Sequence, residues 1–126
     1  MSLRTPLAHV RGLGSAKEGT HHWWMQRLTA VALVPLSLWF VAFIVALATA
    51  EHGTVVEWIR SPVVTVLLLL FIVAVFHHAQ LGLQVIIEDY VHGEWLKVTS
   101  LIIMKFAAVA LAFASIVAVL RVAFGG

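Results

Sequence analysis

The chain has 126 residues, 62% of them hydrophobic and 11% charged, with a mean hydropathy of +1.02. A water-soluble domain carries about 25% charge, so this is the composition of a membrane protein, and its length suits one transmembrane unit over 1–126 with no room for a separate catalytic domain. Eight Lys and Arg against six Asp and Glu give a net charge of +2 with neutral histidines, too small and too dispersed to suggest nucleic acid. Cysteine is absent, which excludes disulfides, thiolate-held iron–sulfur clusters and cysteine nucleophiles from this chain. Metal chemistry here has to run through histidine or carboxylate.

In chain order, an amino-terminal segment, 1–27, carries Arg4, Arg11, Lys17 and Arg27. It ends in "THHWWMQRLTA", Thr20 to Ala30, where Trp23 and Trp24 read as interfacial aromatics. A charge-free run, Leu28 to Ala50, forms the first predicted span, with a kink expected at Pro35. Its end, "ALATA", has the small-residue pattern of a signal-peptidase site. The apolar stretch before it is longer than a signal core, so the span is read as an uncleaved anchor. Glu51 to Arg60 is the predicted first loop, and Ser61 to Ile87 the second span, with Pro62 placed in its first turn where a missing N–H costs nothing. Glu88 to Lys97 is the predicted second loop. Val98 to Leu120 is the third span, interrupted only by Lys105, which is placed to snorkel to the headgroups. Each span has about the ~20 residues a helix needs to cross a bilayer.

The expected fold is therefore an all-α membrane protein of three transmembrane helices. The amino-terminal segment and second loop hold five basic residues, with Lys97 the fifth. The first loop and carboxy tail hold two, Arg60 and Arg121. The positive-inside rule then puts the amino terminus inside, the carboxy terminus outside, and the second loop at the inner face.

Ionisable groups within a span are functional hypotheses by default. His78 lies ten residues before Glu88, roughly 15 Å below the helix end at 1.5 Å per residue, too deep for a short imidazole to reach water. Two readings follow. One is a neutral histidine hydrogen-bonded to a neighbouring helix; the other is an axial ligand to a buried b-type haem. For the second, Ala74 and Gly82, at i−4 and i+4, leave room for a flat macrocycle, whereas Val73 and Leu81 flank His77. His77, about 100° around the helix, is read as bonding a partner chain or lining the pocket rim. The other histidines, His9, His21, His22, His52 and His92, fall in the terminal segment and the loops. A second axial ligand must therefore come from another polypeptide or a second copy of this one. Eleven residues after His78, Asp89 returns to the same face of the helix, and Tyr90 follows it. A phenol at this depth is an interfacial anchor or, beside a carboxylate, a hydrogen-bond donor to a quinone carbonyl. Arg27, at the entry to the first span, is an orientation determinant that also suits pairing with a haem propionate.

The register of His78, Gly82, Asp89 and Tyr90, together with "RLTAVAL" from Arg27, resembles the small hydrophobic anchor subunit of succinate dehydrogenase, the membrane-bound succinate:quinone oxidoreductase. The resemblance covers nearly the whole chain. The twelve-residue spacing to Tyr90 selects His78 over His77. The resemblance implies one haem b, held by His78 with a propionate near Arg27, and ubiquinone as substrate near Tyr90 and Asp89. It also implies a four-part assembly in a bacterial cytoplasmic membrane. A flavoprotein would carry FAD and oxidise succinate, an iron–sulfur subunit would carry the clusters, and a second hydrophobic anchor would supply the other haem histidine. This chain alone would catalyse nothing. The competing readings are a homo-oligomeric b-type cytochrome and a quinol:fumarate reductase anchor. A small multidrug-type transporter is disfavoured because no acidic residue falls inside a span.

Overall fold

The computed structural model describes residues 17–125. They form four helices: α1, Lys17–Leu47; α2, His52–Arg60; α3, Pro62–Tyr90; and α4, Glu94–Phe124. Three of them, over Thr20–Leu47, Pro62–Tyr90 and Glu94–Phe124, are long and apolar enough to cross a membrane. The expected all-α, three-span fold is what the chain adopts. The helix ends do not coincide with the ends of the charge-free runs. A 29-residue helix such as α3 is roughly 43 Å long at 1.5 Å per residue, against about 30 Å of hydrocarbon. Backbone hydrogen bonding therefore continues past the first charge into the headgroup layer. α1 starts well before Leu28 and stops at Leu47 rather than Ala50, continuing through Pro35. The second loop shrinks to 91–93, which puts Asp89 and Tyr90 in the last turn of α3.

The predicted loop Glu51 to Arg60 is the clearest correction, because most of it is the helix α2. Val55, Val56 and Ile59 lie half-buried on one side, while His52, Thr54, Glu57, Trp58 and Arg60 are exposed. That is the pattern of a short helix lying on an apolar surface. Its end is pinned in two ways. Buried Thr65 donates its hydroxyl toward the Ile59 carbonyl, 2.6 Å away, with the Ser61 carbonyl at 3.0 Å. Arg60 reaches the far end of α4, donating Nε to the Val122 carbonyl at 3.2 Å and Nη2 to the Gly125 carbonyl. A guanidinium on the last carbonyls of a helix satisfies acceptors that have no intrahelical partner and complements the negative end of the helix dipole.

α3 is the centre of the bundle, packed against α1 on one side and α4 on the other, with α2 across the end where α3 begins and α4 finishes. The buried positions of this helix, Val64, Thr65, Leu68, Ala74 and Leu81, follow a helical stripe, whereas α4 has none. Phe40 of α1 stacks on Phe71 of α3 with ring centroids 4.6 Å apart. At the opposite end from α2 lie Trp23, Trp24, Tyr90 and Trp95, all at least half exposed, a ring of aromatics of the kind found at a membrane interface.

Candidate functional site

The site is built on α3. Its backbone fixes His78 and Tyr90 on one rigid rod, twelve residues apart, about 18 Å along the axis. His78 turns toward α1, where its Nδ1 lies 3.0 Å from the hydroxyl of Thr29. Thr29 is 8% exposed, one of two buried polar residues among those described. Its Oγ1 also lies 2.7 Å from the Met25 carbonyl and 3.1 Å from that of Gln26. The hydrogen bond to a neighbouring helix is thus present, and it engages one ring nitrogen and not the other.

The small residues around His78 do something more specific than clearing space. Ala74 is buried, and Gly82 faces α1, where a Cβ built on it would come to 3.9 Å from Gln26 Nε2. Gly82 thus presents its backbone to Gln26 of α1, at a distance where a Cβ would still make ordinary contact. The room expected on both sides of His78 is, on this side, occupied by α1. His22, Gln26 and Thr29 recur at i, i+4 and i+7, so they share the face of α1 that meets α3. His22 Nε2 and Gln26 Oε1 are buried without a hydrogen-bond partner among the described residues. Sequence reasoning missed this polar row. Its signal was the helical spacing of three polar residues running from the interface into an apolar span.

His77 turns the other way, into a cleft of about 230 Å³ between α3 and α4 that Gln80, Ala108 and Ala112 also line. Its Nε2 is buried and unpartnered among the described residues. The two adjacent histidines therefore serve different seams, as the 100° step of the helix requires. Arg27 is exposed, with its guanidinium 4.9 Å from the centroid of the Trp23 ring one turn earlier. It leaves α1 about 200° around from Thr29, so the structure does not bring it onto the seam with His78. Asp89 and Tyr90 are exposed, Tyr90 by 76%, while neighbouring Glu88 accepts a 3.1 Å hydrogen bond from Gln84. Lys105 is exposed on α4. No group of three or more His, Asp or Glu converges as a metal site among the described residues.

These features define a class: a polytopic three-helix membrane subunit whose polar groups lie on an interior seam and at one interface. The chain matches the family of transmembrane subunits of succinate dehydrogenase and fumarate reductase over residues 1–122, and it belongs to that family. It is 36% identical over 116 residues to the succinate dehydrogenase hydrophobic membrane anchor subunit of Rickettsia bellii, covering 92% of this chain and 93% of that one. The succinate dehydrogenase membrane anchor subunit of Reclinomonas americana is 34% identical over 97 residues, 74% of this chain and 80% of its own. The corresponding subunit of Paracoccus denitrificans is 28% identical over 121 residues, 96% of this chain and 93% of its own.

Proposed function

We propose that this chain is the membrane anchor of a succinate:ubiquinone oxidoreductase, that His78 is the axial ligand it offers to a haem b, and that Tyr90 and Asp89 form its part of the quinone site. The reading rests most on one observation. A single continuous helix holds an imidazole well inside its length, with one ring nitrogen already bonded to Thr29, in fixed register with an exposed acid–phenol pair at its end.

The donor set fits a haem. A ligating imidazole is usually bonded through its other ring nitrogen, which fixes ring orientation and tautomer, and the Nδ1 contact of His78 is such a bond. The haem would supply a one-electron reservoir between the subunits that hold it. Arg27, at the head of the first span, carries the positive charge that suits a propionate, by exchanging its contact with Trp23 for a carboxylate. The remaining requirements fall to partner subunits: a second axial histidine from another hydrophobic anchor, clusters in an iron–sulfur subunit, and FAD in a flavoprotein.

At Tyr90 the chemistry is proton and hydrogen-bond chemistry. Oxidation of succinate to fumarate releases two electrons and two protons, and ubiquinone takes up two of each to become ubiquinol. The Tyr90 phenol donates a hydrogen bond to a quinone carbonyl and polarises it for reduction, while Asp89 orients the phenol or passes protons from the aqueous side. The exposed Trp23, Trp24, Tyr90 and Trp95 suit an interface, and the positive-inside count would make it the inner one of a bacterial cytoplasmic membrane, facing the soluble subunits. The family includes fumarate reductases. The names of the relatives, all succinate dehydrogenase, favour the oxidative direction. In the purified complex, Tyr90→Phe should depress quinone reduction with haem content unchanged, and unaltered quinone kinetics would remove Tyr90 from the site.

A further inference from the structure

We infer that Thr29 is the positioning residue for His78, fixing which imidazole nitrogen carries the proton and which keeps a lone pair. The inference rests on the reading of His78 as an iron ligand and deepens it. Thr29 has one hydroxyl proton and three neighbours within hydrogen-bond distance: the Met25 carbonyl at 2.7 Å, the Gln26 carbonyl at 3.1 Å and His78 Nδ1 at 3.0 Å. A carbonyl oxygen can only accept. The shortest contact, to the carbonyl four residues earlier, is the back-bond a threonine hydroxyl makes within an apolar helix, and it consumes the single proton. Oγ1 then has only lone pairs left for His78, so Nδ1 must be the protonated nitrogen and must donate. In a neutral imidazole that leaves Nε2 as the acceptor, and therefore as the atom available to a metal.

The arrangement also explains why a hydroxyl is buried in this span. Removing it leaves the backbone ladder of α1 in place, because the Met25 carbonyl still receives the ordinary backbone bond from residue 29. The loss falls on His78, whose Nδ1–H would lose the acceptor it has at the seam and be free to exchange tautomers or turn. Because the hydrogen bond makes the imidazole a stronger donor, it favours the higher oxidation state of a bound iron.

The test uses membranes containing the assembled complex, so that incomplete assembly lowers the signal without altering its position. Thr29→Val and Thr29→Ala both delete the hydroxyl, and Thr29→Ser keeps it. Both hydroxyl-free variants should raise the midpoint potential of the haem and shift its low-spin electron paramagnetic resonance g-values. Transfer of haem to apomyoglobin should become roughly tenfold faster, at the low end of the effect of losing such a partner. Thr29→Ser should restore all three. An unchanged potential and unchanged g-values in Thr29→Val and Thr29→Ala would overturn the role of Thr29 while leaving His78 as ligand. An intact b-type spectrum in His78→Ala would overturn the ligand assignment itself.

Discussion

At the scale of single residues, the doubled histidine separates into two unlike positions. His78 meets Thr29 across the α1–α3 seam, and His77 faces α4 with Gln80. His77→Leu should therefore leave the b-type spectrum intact, and His78→Leu should abolish it; identical effects in the two variants would contradict this division. The depth of His78 and its register with Tyr90 were legible in the sequence, since spacing along a helix is fixed by its rise. Thr29 was not, because a contact across two helices depends on their rotation, which spacing within one helix does not give. Gly82 was legible only in part. Its smallness was evident, but its neighbour, Gln26 of α1, was not. A Cβ there would make ordinary contact at 3.9 Å, so Gly82→Ala should be tolerated. Gly82→Leu should force α1 away, weakening haem retention and lowering the thermal stability of the complex, both measurable in detergent.

At the scale of elements, α2 was hidden by its charges. Glu51, His52, Glu57 and Arg60 read as a polar connection, although Val55, Val56 and Ile59 already had the spacing of one helical face. Charge marks where hydrocarbon ends and says little about where helical hydrogen bonding ends, which is also why α1 begins early and α3 continues to Tyr90. The device that holds α2 is likewise a matter of tertiary contact. Thr65→Val removes the hydroxyl from the Ile59 carbonyl in a buried setting and should destabilise the subunit by about 1 kcal/mol, the net value of one such bond. Arg60→Ala should accelerate amide exchange in the last turn of α4, around Arg121 to Gly125, and leave the spectrum unchanged. Protection of those amides equal to the parent would show that the guanidinium cap contributes nothing there.

For the whole molecule, α3 packs between two flanking helices and most apolar side chains of α1 and α4 remain exposed. In a bilayer some of that surface meets lipid. In the proposed assembly the rest meets a second anchor subunit. The positive-inside rule predicts the Tyr90 end at the inner face. Because the chain has no cysteine, single cysteines introduced at His92 and at Gly53 give an unambiguous assay. In right-side-out vesicles a membrane-impermeant maleimide should label Gly53→Cys and spare His92→Cys; the reverse would invert the topology and separate Tyr90 from the inner face. The central claim, that one helix of this subunit joins a haem and a quinone site in a succinate-oxidising complex, meets its most direct test in a reduced-minus-oxidised spectrum of the purified complex with succinate as sole reductant. A b-type band that appears with succinate and is lost in His78→Ala is the expected result. A complex that oxidises succinate with no b-type band, or whose band survives His78→Ala, would contradict it.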